Sequence, residues 1–415
     1  MKIAIVNTSA SDGGAARAAN RLHHGLRQIG HESFMYVQQG SGEGVVSFHP
    51  DMSLMAIVER KVRSKIIGRS FSRYAKNRPL GLEIFTDDRS PFGSRPIENI
   101  PGCDVVNLHW VAGLIDYASL PILARTPMVW TLHDMNPFTG GCHYDNGCDK
   151  YLMGCGDCPQ LGSSDQNDLS AAIWHRKQVA FNKLNPEKFC VVTPSKWLGR
   201  EAKQSALFSR FDIRVIPNGL DTDSFAPRNS NDLRQAFDIP ADAQVILFLA
   251  DSVQNKRKGL QFLLDAISSL GDTSQLFFVS VGSGAFEIST SVQHIQIGRV
   301  EDDRMLSMIY SLADVFVIPS IQDNLPNTVL ESMACGTPVV GFNIGGIPDM
   351  VKDGQTGFVV PPGDVAAMKV AIELVLGDTE LRNTMSHQCR DLAVREYDLN
   401  VQASRYSDLY EQICC

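Results

Sequence analysis

No stretch of this sequence approaches the ~18–20 consecutive apolar residues that a membrane-spanning helix needs, so an integral membrane protein is excluded at the outset. The chain opens MKIAIVNTS, a short strand pattern with one lysine. It lacks the longer apolar run and small-residue cleavage site of a secretory signal, and the expectation is a cytoplasmic protein. An excess of positive charge is missing as well. The net charge of −8 argues against general nucleic-acid binding. Low-complexity tracts and internal sequence repeats are absent too, which leaves an ordinary globular composition. At 415 residues the chain exceeds what one hydrophobic core usually serves, so two domains are expected.

Two local features depart from this average. From Arg60 to Arg78 there are eight basic residues (Arg60, Lys61, Arg63, Lys65, Arg69, Arg73, Lys76, Arg78) and no acid. Leu54, Val58, Val62 and Ile66 recur at four-residue intervals, and Phe71 and Tyr74 would continue that apolar face past an interruption at Gly68. Lys61, Lys65, Arg69 and Arg73 form a basic face. A basic amphipathic helix over 54–78 would lie on anionic lipid at the inner face of the cytoplasmic membrane; a solvated basic face is the alternative. The second feature is a cysteine-rich loop at 140–160, where Cys142, Cys148, Cys155 and Cys158 fall within 17 residues. In a reducing compartment such a group binds metal more often than it forms disulfides. Four thiolates are enough for a closed, structural zinc site, although the spacing is not that of paired Cys-x2-Cys knuckles. Free thiols and disulfides are the other readings.

The coarse pattern is α/β. KIAIVN reads as a strand, SASDGG as a loop, and Ala15 to Ile29 as a helix with apolar residues at helical spacing. FMYV, DVVNL, MVWTL, CVVT and RVIP follow as buried strands. After Pro217-Asn218-Gly219 the alternation restarts with VILFLA, a helix over Leu260 to Leu270, LFFVSVG, a helix over Met305 to Leu312, VFVIPS, a helix around Glu331, and PVVGF. Strands alternating with helices imply parallel, doubly wound sheets. The expected division is 1–220, 221–395, and a C-terminal helix at 396–415 packing back toward the first domain. Open α/β sheets bind ligands beyond the carboxyl ends of their strands, so two such sheets face to face would set an active site in the cleft between them.

The most informative segment runs from Ile318 to Asp364. Asp323 lies in the loop after a buried strand, Pro326 suits a first helical turn, and Gly336 suits its end. The mouth of that helix offers backbone N–H groups and a positive dipole end, which suits a diphosphate. Asp323 and Glu331, eight residues apart, would serve sugar hydroxyls and a ribose. Alone, an acid-x7-acid spacing says little. It is followed, however, by Gly336-Thr337-Pro338-Val339-Val340, Gly345-Gly346-Ile347-Pro348-Asp349 and Asp353-Gly354-Gln355-Thr356-Gly357. This ordered set resembles the donor-binding signature of glycosyltransferase family 4, a retaining family with the GT-B fold of two Rossmann-like domains. The family pattern has a Glu-x7-Glu pair and closes on an Asp-Gly-x-Thr-Gly hairpin.

The resemblance extends outward. Arg257-Lys258-Gly259-Leu260 is similar to the family's basic element, Ile216-Pro217-Asn218-Gly219 to its interdomain turn, Gly13-Gly14-Ala15 to its N-terminal glycine loop, and His133-Asp134 to its active-site histidine. It implies catalytic roles for His133, Lys258, Asp323 and Glu331. It implies donor contacts for Gly13, Gly14, Asn218, Arg257, Asn324, Leu325, Asn327 and Thr328. His109 ranks second to His133. Two departures stand out: Asp323 is one methylene shorter than the family glutamate, and Ala250-Asp251-Ser252 replaces the usual Gly-Arg-Leu.

The implied reaction moves a sugar, with retention, from a nucleotide-sugar (UDP favoured over GDP by family usage) to a saccharide or lipid-linked saccharide in surface polysaccharide synthesis. Catalysis needs no metal if Lys258 and Arg257 neutralise the diphosphate; the chain's one Asp-x-Asp candidate, Asp221-Thr222-Asp223, sits in the linker. A nucleotide-sugar epimerase on the same scaffold and a non-catalytic nucleotide-sugar-binding module remain the alternatives.

Overall fold

A computed structural model describes residues 1–288 and 292–414 of the chain. These divide into two units, one of Met1–Pro217 with the residues from Gln402 onward, the other Asn218–Val401. The divisions fall a few residues from the expected 220/221 and 395/396. The reason is local pairing: Leu220 N–H donates to Tyr397 O (2.8 Å) and Leu399 N–H to Leu220 O (2.9 Å). Those bonds hold 396–401 to the second unit.

The first unit is built on seven parallel strands in the order β3-β2-β1-β4-β5-β6-β7. They are β1 (Lys2–Ser9), β2 (Glu32–Gln39), β3 (Val45–Ser47), β4 (Val105–Leu108), β5 (Met128–Thr131), β6 (Phe189–Thr193) and β7 (Asp212–Val215). The central strands VVNL, MVWT and FCVVT are buried throughout. That is the continuous apolar reading of a sheet covered on both faces. The helix Gly13–Gln28 buries Ala16, Ala18, Ala19, Leu22 and Leu26. On the same face the C-terminal helix Leu399–Cys414 adds Ala403, Tyr406, Leu409 and Tyr410 to a core with Ile3, Ile5, Val129 and Val192. Buried tyrosine hydroxyls need partners, and this explains two polar residues inside apolar strands. Asn107 Nδ2 donates to Tyr410 Oη (2.7 Å) and Thr131 Oγ1 lies 2.9 Å from Tyr406 Oη.

The second unit has six parallel strands in the order β10-β9-β8-β11-β12-β13. They are β8 (Gln244–Ser252), β9 (Leu276–Ser283), β10 (Gln293–Gly298), β11 (Val315–Ile318), β12 (Val339–Phe342) and β13 (Gly357–Val360). β10 and β13 are edge strands that the apolar patterning does not announce. The Asp353–Gly357 stretch is not a hairpin: Gly354 N–H bonds Gly357 O (2.9 Å), and the chain turns directly into β13, parallel to β12.

In each sheet the order reverses beside the first strand, at β1/β4 and at β8/β11. Loops leaving the carboxyl ends of those strand pairs flank the crevice where doubly wound sheets take ligands.

Candidate active site

In the second unit, the loops after β8 and β11 meet at that crevice. The β8 loop ends in a single 3-10 turn, Lys256–Lys258, started by Asn255, whose Oδ1 accepts from Arg257 N–H (3.0 Å). Arg257 O in turn accepts from Ile321 N–H (2.9 Å), tying this turn to the β11 loop. The tie brings two cations onto one carboxylate. Lys258 Nζ is 2.7 Å from Asp323 Oδ2 and Arg257 Nη1 is 3.3 Å from the same oxygen. Arg257 Nη1 also donates to Gln322 O (2.7 Å), and Ser320 Oγ donates to Asp323 Oδ2 (3.3 Å). Burial alone would raise the Asp323 pKa, yet Lys258 and Arg257 hold it below the usual carboxylate range. Asp323 is therefore ionised, and the trio carries a net positive charge at the end of the sheet. Such a cluster favours an anion.

Pro326 then caps the helix Asn327–Ala334. Asn218 Nδ2 donates to Asn327 Oδ1 (3.2 Å), which joins two of the predicted donor-binding residues; Asn324 and Leu325 are buried just before the cap and Thr328 is half-buried after it. Glu331 is buried in the second turn and accepts from Tyr310 Oη (3.0 Å) on the helix Asp303–Leu312. The glycine turn has a structural duty: Gly346 N–H donates to Asp323 O (3.1 Å), fixing the backbone that carries the carboxylate.

In the first unit, the loop after β1 turns on Ser9, whose Oγ accepts from Ser11 N–H (3.3 Å) and Asp12 N–H (3.0 Å). Gly13 and Gly14 open the following helix. The segments after β4 and β5 bring His109 and His133 together. His109 Nδ1 is 2.9 Å from His133 Nε2 and the rings stack with centroids 5.1 Å apart. Burial pushes His133 down to about 4, against the pull of Asp134, and pushes His109 well below its ordinary value. Both rings are neutral at pH 7. Among the described residues the buried His109 Nε2 has no hydrogen-bond partner, unusual for a purely structural histidine. His109, ranked second from the sequence, thus forms one pair with His133.

Asp134 is placed by groups the sequence did not single out. Its Oδ2 accepts from His143 Nδ1 (2.7 Å) and Trp110 Nε1 (3.2 Å), and its Oδ1 from Asn136 N–H (2.8 Å). Burial would raise its pKa, but His143 and the Asn136 N–H bond hold it low. His143 lies inside the cysteine-rich loop, between Cys142 and Tyr144; only the fold returns that loop to the residue after His133.

The helix Leu54–Ser72 runs through Gly68 without a break. Leu54, Val58, Val62 and Ile66 are 83%, 58%, 51% and 51% exposed, an unusual line of apolar side chains facing solvent. Phe71 and Tyr74 do not continue it. They pack instead on a satellite core of Cys158, Leu161, Leu169 and Ile173, and Tyr74 Oη accepts from Leu169 N–H (3.1 Å). Arg63, in the basic stretch but not on the basic face, forms an ion pair with Asp116.

A profile of Glycosyltransferase Family 4 matches residues 12–224, and one of Glycosyl transferases group 1 matches residues 243–378. Phosphatidyl-myo-inositol mannosyltransferase of Mycobacterium leprae is 34% identical over 224 residues, covering 52% of this chain and 57% of its own length. Sulfoquinovosyl transferase SQD2 of Arabidopsis thaliana is 28% identical over 216 residues, covering 50% of this chain and 41% of its own. The chain thus spans about half the length of these relatives. Among solved structures, sucrose-phosphate synthase from Thermosynechococcus elongatus aligns with a TM-score of 0.66 at 18% identity, over 99% of this chain and 98% of its own. HepE from Anabaena, solved in complex with UDP and glucose, gives 0.67 at 16% identity, over 99% of each chain. At these identities the likeness shows a shared fold, two parallel-sheet α/β domains of the GT-B kind, and nothing more.

Proposed function

The chain belongs to glycosyltransferase family 4, and from that premise we propose that it transfers a sugar, with retention, from a nucleotide-sugar to a saccharide or lipid-linked saccharide acceptor. The observation that carries this is the cluster of Lys258, Arg257 and Asp323 at the switch point of the second sheet. A departing nucleoside diphosphate gains negative charge as the glycosidic bond to it breaks. Fixed cations aimed at that charge lower the barrier most where the surroundings are already organised. Asn324, Leu325, Asn327 and Thr328 line the helix mouth for the same diphosphate, and Glu331, set by Tyr310, takes the ribose. With Lys258 and Arg257 supplying the charge, the chemistry requires no divalent metal. In the first unit the neutral His133, steadied by His109, contacts the sugar or orients the acceptor, and Gly13 and Gly14 permit close backbone approach.

UDP is the nucleotide expected ahead of GDP, in keeping with the UDP and UDP-glucose complexes of HepE. A ligand that binds only the folded state raises the melting temperature, by about 2.7 kcal/mol of added stability at a hundredfold excess over Kd. The expected result is a rise in Tm with UDP and a UDP-sugar, smaller with GDP, followed by sugar transfer onto a saccharide. Production of a free C2 epimer from the UDP-sugar, with no transfer, would instead establish the epimerase.

The exposed line Leu54-Val58-Val62-Ile66 and the neighbouring Lys61, Lys65, Arg69 and Arg73 support a peripheral seat on the anionic inner face of the cytoplasmic membrane. The protein is expected to sediment with phosphatidylglycerol vesicles and not with phosphatidylcholine vesicles, and to be released by salt. Val58→Glu with Val62→Glu should abolish sedimentation. Unchanged sedimentation of that double variant, or none by the wild type, rules the seat out.

A further inference from the structure

The loop after His133 holds the densest group of thiols in the chain, and the fold turns them inward together. Cys142, Cys148, Cys155 and Cys158 all line one cavity of about 20 Å³, closed by Phe85 and Pro159 among others. That is room for about one water-sized sphere. A buried water needs two to four good polar partners; thiols are poor ones, and Lys150, Gln160 and Ser170, which also line the space, already bond Asp157, Tyr144 O and Asp168. Four soft sulfur ligands around space for a single atom describe a different occupant.

The backbone supports the same reading. All four cysteines directly follow a residue with positive φ: Gly141 (+125°) before Cys142, Gly147 (+79°) before Cys148, Gly154 (+158°) before Cys155, and Asp157 (+45°) before Cys158. Between them there is only one short turn, Asp149–Leu152, and no strand. A loop of this length with left-handed turns at Asn146 (+52°) and Asp157 gains little from regular hydrogen bonding, while each non-glycine left-handed residue costs of order 1–3 kcal/mol.

The surroundings suit a charged centre. Gly140 N–H already donates to Cys155 Sγ (3.1 Å). Lys177 is fully buried, its ammonium bonded to Asn136 O and Thr139 O, and its charge acts on both Cys155 and Cys142. A tetrathiolate zinc centre carries net charge −2, and a buried cation with backbone N–H donors around it offsets part of that. As they stand, all four thiols are free, and among the described residues no three metal-binding side chains are drawn close enough to hold an ion. The sulfurs ring the space without converging on it.

We propose that Cys142, Cys148, Cys155 and Cys158 bind one zinc ion as a closed structural site. Binding releases four thiol protons to solvent and forms four Zn–S bonds of about 2.3 Å, drawing the sulfurs in. The site fixes the segment that serves His133. Thr139 Oγ1 donates to Cys142 O (2.7 Å), Asn136 Nδ2 donates to Gly141 O (2.9 Å), and His143, next to Cys142, holds Asp134.

Elemental analysis of protein purified under reducing conditions should find about one zinc per chain. Cys142→Ser and Cys155→Ser should lose it, and Cys414→Ser, at an exposed position outside the cluster, should keep it. If the cluster variants do not fold, the wild type still decides the matter. Titration with an organomercurial should release zinc to a colorimetric chelator as the thiols react, and cobalt exchange should give the sulfur-to-metal charge-transfer and tetrahedral d–d bands of a tetrathiolate. Metal-free protein with four alkylatable thiols in this loop, or an intact mass showing disulfides among them, overturns the proposal.

Discussion

Lys258→Ala is expected to lower turnover by about 10²–10³-fold, the loss that follows removal of one fixed donor from a developing anion, with a small change in melting temperature. The stability side follows from the geometry. Removing one partner of a buried ion pair is usually costly because a bare charge is left behind. Here Asp323 keeps Arg257 and Ser320, at 3.3 Å each, so the carboxylate is not stranded. The catalytic side has a matching test in Asp323→Asn. Removing that negative charge leaves both cations to the ligand, so UDP affinity should hold or rise while turnover falls. Because the three residues act as one unit, the double variant should lose less than the sum of the two singles. Full turnover in Lys258→Ala, with UDP bound as tightly as before, would remove the cluster from the mechanism.

How far the sequence foretold this site depends on how local each contact is. The stretch from Pro326 to Gly346 is legible because its duties are set by near neighbours: a proline at a helix start, a stop at Gly336, a strand and a glycine turn. The partnership of Lys258 with Asp323 spans 65 residues, and was legible only through the resemblance, which placed both at a donor site without saying that they touch. The His109–His133 pair depends on β4 and β5 being adjacent, and the support of Asp134 by His143 depends on a loop returning across the sheet end. Neither leaves a periodic trace. Tyr310 behind Glu331 is hidden for a similar reason: in a helix pattern an aromatic residue reads as core, and its hydroxyl cannot be seen. The strands missed were β3, three residues long, and the edges β10 and β13, while the edge β7, expected from RVIP as a buried strand, has no buried residue over Asp212–Val215. The helical period alone puts Phe71 and Tyr74 on the exposed line, because it cannot show that a satellite core lies under the helix end.

The glycine turn offers the second large effect, and it separates position from charge. Gly345 sits at φ +53°, and an alanine Cβ there would lie 1.8 Å from the Asp323 carbonyl oxygen, far inside any tolerable contact. The left-handed backbone alone costs an alanine roughly 1–2 kcal/mol. The contact adds more, because the atom in the way is backbone and belongs to the segment that aims the carboxylate. That segment must move, and the Gly346 N–H bond to Asp323 O goes with it. A combined loss of about 3 kcal/mol would lower Tm by roughly 6–12 °C for a unit of this size, and turnover should fall at least as far as in Lys258→Ala although every charged group is still present. Gly354→Ala is the control: φ is +70°, yet an added Cβ meets nothing within 4 Å. It shares the backbone strain without the collision, so it should lower Tm by only a few degrees and keep its turnover. Equal damage from both substitutions would mean that general loosening of the second unit, and not the placement of Asp323, is what the turn controls.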